Sequence, residues 1–278
     1  MSQIEAVSDP VGDRVGKPVA EPVIILKDIR KKYGEFEALK GVNLEIGRGE
    51  MFGFLGPNGA GKTTLIRILT GIIKPTAGAV LICGHDLLAA PDLAKGCLGY
   101  VPDRPYLYEK LTPLEYFDFV AGLYSIPHPD VLKRGEEMLR MFTLWEWRNE
   151  LIESFSHGMK QKVAMSSALL HDPDIIVVDE PTVGLDPKSV KMVKEFFNSL
   201  VQRGKTIFLT THTLSVAEDL CHRIAIIHHG NLVALGNLEN LQKLSKSPGS
   251  DLESVFLKIT EEESELPPHP STQPGKLV

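Results

Sequence analysis

The sequence predicts an α/β protein: a mostly parallel sheet with helices on its faces, an antiparallel β subdomain ahead of it and an α-helical subdomain inserted in it. Three observations predict this. Ile175-Ile176-Val177-Val178 is an unbroken apolar run, the pattern of a parallel strand buried on both faces. Met51-Phe52-Gly53-Phe54-Leu55 is another, and it leads through Gly56-Pro57-Asn58-Gly59-Ala60-Gly61-Lys62-Thr63-Thr64 into the helical run Leu65–Leu69. Between these two strands, apolar residues fall at helical spacing (Leu114, Phe117, Val120, then Leu132, Met138, Leu139, Phe142).

In chain order, residues 1–21 mix prolines, glycines and charges without periodicity and are expected as a flexible tail. Val23–Leu26 begins a strand that turns at Lys31-Lys32-Tyr33-Gly34, and Leu39–Ile46 alternates like a half-buried strand. Two or three antiparallel strands therefore precede the glycine-rich turn. Past its helix, Gly71 and Pro75-Thr76-Ala77-Gly78 turn the chain into short strands at Ala79–Cys83 and Cys97–Val101. The helical insert covers about 104–170. Thr112-Pro113 with Glu115 reads as an N-cap and capping box, and a second helical stripe runs Asp130–Leu144. Tyr124, Trp145 and Trp147 are read as core or interface in preference to nucleobase stackers. Ser156 can cap the helix that follows it. A helix over 188–203, a strand Ile207–Leu209, a hairpin around His228-His229-Gly230-Asn231 (read as a polar turn) and a short helix Asn237–Leu244 complete a domain at 22–244. In 245–278, residues 245–250 are expected as a linker and Asp251–Ile259 as a short amphipathic helix. The acidic, then Pro-rich stretch from Glu261 is expected to be disordered.

The chemistry sits at the ends of strands. Gly56–Thr64 matches G-x-x-x-x-G-K-[ST] in the strand–turn–helix context that the motif needs, so the core is that of a P-loop NTPase. Small residues let backbone N–H groups converge on a phosphate at a helix N-terminus, Lys62 can reach β- and γ-phosphates, and the Thr63 hydroxyl can ligate Mg²⁺. Asp179 and Glu180 follow a buried strand, where open α/β sheets bind ligands. Alternation points the two carboxylates to different sides. His212 ends the next strand, placed to touch a γ-phosphate.

Composition narrows the class. The 278 residues are 43% hydrophobic with a net charge of −6, which gives no basic footprint for nucleic acid. No apolar run approaches the ~18 residues of a membrane span, and no signal peptide is visible. Cys83, Cys97 and Cys221 stand far apart without a C-x-x-C pair and are expected as reduced core thiols, in preference to a disulfide framework or zinc site.

Together these stretches resemble the ATP-binding subunit of an ABC transporter over about residues 22–240. Gly56–Thr64 matches Walker A, and Ser156-His157-Gly158-Met159-Lys160-Gln161 stands in the place of the signature. Ile175–Glu180 matches Walker B, Gly184-Leu185-Asp186 the D-loop and His212 the switch histidine, while Tyr33 stands where an aromatic stacks on adenine. The resemblance implies ATP and Mg²⁺. Gly56, Pro57, Asn58, Gly59, Ala60, Gly61, Lys62, Thr63 and Thr64 would hold phosphates, and Thr63 and Asp179 the Mg²⁺. Glu180 would polarise the attacking water and His212 would contact the γ-phosphate. Ser156 and Gly158 would close over ATP on a second subunit, with Gln161 and Asp186 also at the nucleotide. It further implies a separate membrane-spanning permease and a location at the cytoplasmic face of the membrane. There are two departures. His157 and Met159-Lys160 depart from the common S-G-G-Q run, in the manner of the export-type branch. Asp103 stands where a glutamine is usual, and a carboxylate there can still reach Mg²⁺ or its water. The alternatives are a soluble ATPase acting on ribosomes or DNA, against which the single P-loop and acidic charge argue, and a weakly hydrolytic regulatory module.

Overall fold

A computed structural model describes residues 20–265, so most of the expected N-terminal tail and the Pro-rich C-terminus lie outside the described residues. Two sheets organise the chain. Strands β1 (Pro22–Tyr33), β2 (Phe36–Gly47), β4 (Ala77–Ile82) and β5 (His85–Asp86) form an antiparallel sheet in the order β2-β1-β4-β5. Strands β3 (Met51–Leu55), β6 (Leu98–Val101), β7 (Ile175–Asp179), β8 (Thr206–Thr210), β9 (Arg223–His228) and β10 (Asn231–Gly236) form the second, ordered β10-β9-β3-β8-β7-β6. Its pairs are parallel except the β9–β10 hairpin.

The unbroken apolar runs have the expected cause. Ile175 and Val177 pack into the core between the two sheets, while Ile176 and Val178 pack into a second core on the opposite face. On the neighbouring strands Phe52 and Phe208 stack at 5.9 Å in the first core, and Met51, Ile207 and Leu209 enter the second. With both faces covered, no solvent-facing polar alternation is left to read.

Helix α1 (Lys62–Leu69) follows β3 and buries Leu65, Ile66, Ile68 and Leu69 between the sheets. After α2 (Pro91–Gly96), three α-helices lie between β6 and β7: α3 (Pro113–Leu123), α4 (His128–Met141) and α5 (His157–Ala168). Thr112 and Glu115 make the full capping box at α3. The aromatics of this region are packing groups. Tyr124 stacks on His171 at 3.9 Å, Trp145 lies under the Arg140 and Arg148 guanidinium groups, and Trp147 meets the edge of Phe155.

The remaining helices are α6 (Pro187–Gln202), α7 (Leu214–Leu220), α8 (Leu238–Leu244) and α9 (Leu252–Glu265). Two expectations fail at this end. The 245–250 stretch is a tied turn and not a free linker: Ser245 and Ser247 are buried, and Lys258 Nζ donates to Ser247 Oγ at 2.8 Å. The helix also continues through the acidic residues to Glu265, past the Glu261 boundary set by composition. It is anchored because Leu252, Val255 and Ile259 form one core with Ala217, Ile226 and Leu241.

Candidate functional site

Backbone geometry builds the first half of the site. Gly61 caps α1 with φ 117° and offers no side-chain cap, and the first turn of α1 holds no acidic residue. By contrast Thr112, Ser156, Asp186 and Asn237 accept hydrogen bonds at the starts of α3, α5, α6 and α8. The N-terminal N–H groups of α1 therefore keep their partial positive charge for an external anion. A side chain at position 61 would also come within 2.8 Å of the Ala38 carbonyl oxygen. Lys62 Nζ folds back onto the carbonyl oxygens of Gly56 at 2.6 Å and Pro57 at 3.1 Å, an arrangement that a phosphate would replace. Burial lowers its pKa, opposed by the charges of Glu180 and Asp179.

These residues border a recess of about 270 Å³ lined by Tyr33, Phe36, Ala38, Asn58, Gly59, Gly61, Lys62, Thr63 and Thr64. Phe36 was not singled out by the sequence reading. It pairs across the hairpin with Tyr33, so both rings share one face, and both are exposed. The spacing Tyr33-Gly34-Glu35-Phe36, two aromatics across a two-residue turn, was the available signal. A larger recess of about 400 Å³ borders Glu50, His222 and Arg223 at the starts of β3 and β9 and contains none of the predicted residues.

The second half stands at the carboxyl ends of β7 and β8. Asp179 Oδ1 accepts from the Thr210 hydroxyl at 2.5 Å. Burial raises the Asp179 pKa. The Thr210 bond and Lys62 oppose this, while Glu180 and Asp103 reinforce it, so these charges share one electrostatic neighbourhood. Glu180 has φ 51°, unusual for a residue with a Cβ. Its Oε2 accepts from the backbone N–H of His212 at 3.2 Å and lies 2.9 Å from His212 Nδ1. Glu180 is mostly shielded while His212 is largely exposed, so the pair bridges the site floor to its surface.

Other predicted residues stand apart from the recess. Ser156 and Gly158 lie at the start of α5, where Ser156 accepts from Met159 N at 3.3 Å. Gly158 lies against Leu185 and His157 against Gly184, and neither Ser156 nor Gly158 lines the recess. Asp186 caps α6, its carboxylate receiving Ser189 N at 3.1 Å and Ser189 Oγ at 2.6 Å. Gln161 corrects the sequence reading. It is 1% exposed, and its side-chain amide donates to the Pro102 carbonyl at 3.3 Å. In this conformation it cannot meet an external nucleotide: although it stands one turn from Gly158 on α5, its side chain packs inward against the end of β6. It ties α5 to the end of β6, one residue from Asp103.

The phosphate cradle, the carboxylates and the histidine thus stand on one sheet. The family described as ABC transporter matches residues 39–183. The chain belongs to the ABC transporter family. An ABC transporter ATP-binding protein of Nostoc sp., all4389, is 41% identical over 79% of this chain and 68% of its own length. Probable multidrug ABC transporter ATP-binding protein YbhF of Escherichia coli is 35% identical over 86% of this chain, which spans only 42% of YbhF. Among solved structures, an ATP-binding subunit of an ABC transporter superposes with a TM-score of 0.82 at 33% identity, covering 86% of this chain and 99% of that one. The ATP-binding cassette MJ0796, seen as a dimer bound to ADP and Pi, superposes with a TM-score of 0.71 at 31% identity, covering 77% and 98%. This ABC subunit binds ATP and is an ATPase whose turnover powers transport. Among the described residues no helix is long and apolar enough to cross a membrane, and ATP-binding subunits of this family work beside membrane components.

Proposed function

We propose that two copies of this subunit, or one copy and a close relative, close head to tail on ATP at the cytoplasmic face of a membrane and drive export through a separate permease. The observation that carries this reading is the pairing of an uncapped phosphate cradle with the Glu180–His212 contact at 2.9 Å on the same sheet.

The adenine would lie against Tyr33 and Phe36, with the phosphates on the Gly59–Thr63 amides and Lys62. The residues present fit Mg²⁺: a hydroxyl at Thr63, a half-buried carboxylate at Asp179 and a second carboxylate at Asp103 are hard oxygen donors. Bound there, Mg²⁺ would neutralise charge on the phosphate oxygens. Glu180 accepts a proton from the attacking water, and His212 steers that carboxylate while offering its outer face to the γ-phosphate. Glu180 lies close enough to His212 for the ring to sense whether the carboxylate is occupied. Ser156, exposed, and Gly158, half-buried, lie outside their own recess and are free to face ATP held by the other copy.

A membrane partner has a surface to grip. Tyr106 is 85% exposed, and Tyr108 lies edge-on to the exposed Phe119 at 4.9 Å. The loop carrying them is bonded to the signature segment by Lys160–Glu109 at 2.6 Å, by Ile152 N to the Leu111 carbonyl, and by Gln161 to Pro102. Force on that loop would therefore reach Ser156. The multidrug designation of YbhF supports export as the direction.

The test is Glu180→Gln. ATP hydrolysis should fall at least ~10²-fold while nucleotide affinity holds. The ATP-locked variant should also bring a polytopic membrane protein with it from detergent-solubilised membranes. An unchanged rate would remove Glu180 from the mechanism and promote the regulatory-module reading; recovery of ribosomes or DNA instead would overturn the permease.

A further inference from the structure

Two of the three cysteines do not stay apart. Cys83 sits in the turn after β4, Cys97 immediately before β6, and Asp174 immediately before β7. Among the described residues these three form a cluster whose ligand atoms all lie within 4.8 Å of one another. No local spacing announces the cluster, since 14 positions separate the two thiols and 77 separate Cys97 from Asp174 (97 − 83 and 174 − 97). The antiparallel sheet and the parallel sheet bring them together. The cluster lies where β6 and β7 begin, at the opposite end of the sheet from Asp179 and Glu180.

We propose that Cys83, Cys97 and Asp174 bind one thiophilic divalent cation of the zinc type, with water in the fourth position. Donor chemistry supports this first. Two sulfurs and a carboxylate oxygen are the ligand types zinc takes in tetrahedral sites, whereas Mg²⁺ and Ca²⁺ require oxygen throughout. Spacing supports it second. Sulfurs at ~2.3 Å from a tetrahedral ion lie about 3.8 Å apart, so drawing the cluster onto an ion moves these atoms by no more than about 1 Å. All three residues are half-buried, so an ion can enter without unfolding the chain.

Charge balance supports it third. Two thiolates and a carboxylate carry three negative charges. A divalent ion and one arginine carry three positive charges, and the arginine is present: Arg48 Nη1 lies 3.2 Å from Asp174 Oδ1. A carboxylate has a second oxygen for the ion, and a ligand carboxylate held by an outer hydrogen bond is the usual arrangement around bound metals. Cys97 Sγ already donates to the Leu93 carbonyl at 3.4 Å, a bond given up when the thiol loses its proton. The ion would staple the β4–β5 turn of the antiparallel sheet to the starts of β6 and β7, far from the nucleotide. Its role is then cohesion of the two sheets rather than catalysis.

Cobalt(II) added to the reduced full chain without nucleotide reads the site directly. One equivalent should bind, with a thiolate charge-transfer band in the near ultraviolet and intense tetrahedral bands in the visible. Zinc should displace it and raise Tm. The double variant Cys83→Ser/Cys97→Ser should lose both bands, while Cys221→Ser should keep them. Asp174→Asn should keep the thiolate band with affinity at least about tenfold weaker. This single change guards against a double variant that does not fold. Absent bands in wild type, or bands that survive the double variant, would overturn the proposal. So would a thiol titration of the air-exposed chain that finds Cys83 and Cys97 joined as a disulfide and unable to be metallated after mild reduction.

Discussion

Asp179 shows how the site holds energy in a single side chain. Burial disfavours its charged form and raises its pKa, and only part of that is returned by Thr210 and Lys62. A carboxyl group whose folded pKa lies above its unfolded value of 3.8 stabilises the fold while protonated and loses that contribution as pH rises through the folded value. At neutral pH the nucleotide-free protein therefore carries a destabilising charge, held ready for a cation. Asp179→Asn keeps an oxygen to accept from Thr210 and removes the charge. We expect it to raise the Tm of the nucleotide-free protein at pH 7 while abolishing Mg²⁺-dependent hydrolysis. The gain should shrink as pH falls through the folded value and vanish below 3.8, where wild type is protonated in both states. A lower Tm at pH 7, measured by calorimetry, would show that the ionised carboxylate is structurally needed. The Glu180 backbone tells a similar story: at φ 51° it occupies a region that side chains disfavour, and the strained turn aims its carboxylate at His212.

At the scale of elements, the β9–β10 turn has more work than its polar composition suggests. Gly230 N donates to the Ala60 carbonyl inside the phosphate loop at 3.0 Å, and its own carbonyl accepts from Lys40 N at 2.9 Å. Its φ is 81°, and a Cβ there would sit 2.8 Å from the Ala38 oxygen. Gly230→Ala should thus cost on the order of 1–3 kcal/mol of stability and also loosen ATP binding, because the displaced turn releases the phosphate loop. Equilibrium dialysis with ATP beside a denaturant titration separates the two effects; an affinity equal to wild type would confine Gly230 to the hairpin. This contact marks the limit of what sequence shows. The phosphate loop, the β7 carboxylates and the Thr112 capping box were legible because each is a local pattern with a local cause. The His228–Asn231 turn read as a plain turn because its partners, Ala60 and Lys40, are remote in sequence. Gln161 was misplaced for a related reason: a motif gives residue order, but the partner that buries this side chain, Pro102 at the end of β6, is remote in sequence. The C-terminal helix was legible as a stripe. Its extension through acidic residues to Glu265 was not, since the anchoring partners Ala217, Ile226 and Leu241 come from α7, β9 and α8.

For the whole molecule, one chain leaves Ser156 and Gly158 outside the recess proposed to hold ATP. The recess is walled by β1, β2 and the start of α1, whereas the exposed Ser156 and the half-buried Gly158 stand apart from it, Gly158 beside Leu185. If a second copy completes the recess, two defective chains should repair each other. Lys62→Ala removes the phosphate cradle and should abolish ATP binding; Ser156→Arg leaves the cradle intact and blocks the outward face. In a two-fold dimer each mixed pair keeps one intact cradle opposite one intact signature. An equal mixture should then recover roughly a quarter of wild-type hydrolysis, since half the dimers are mixed and each has one of its two sites. Each variant alone should be silent. The measurement is phosphate release from the mixture against the sum of the separate chains. Additive silence would mean that the two halves of the site belong to one chain after all, reached by a movement of α5 toward its own phosphate loop. That movement is opposed by Gln161 on Pro102 and Lys160 on Glu109, which bind the start of α5 to the loop after β6. Breaking those ties moves the signature away from its present contacts without providing it with a nucleotide. A partner copy needs no such rupture, because the surface it would use is already exposed.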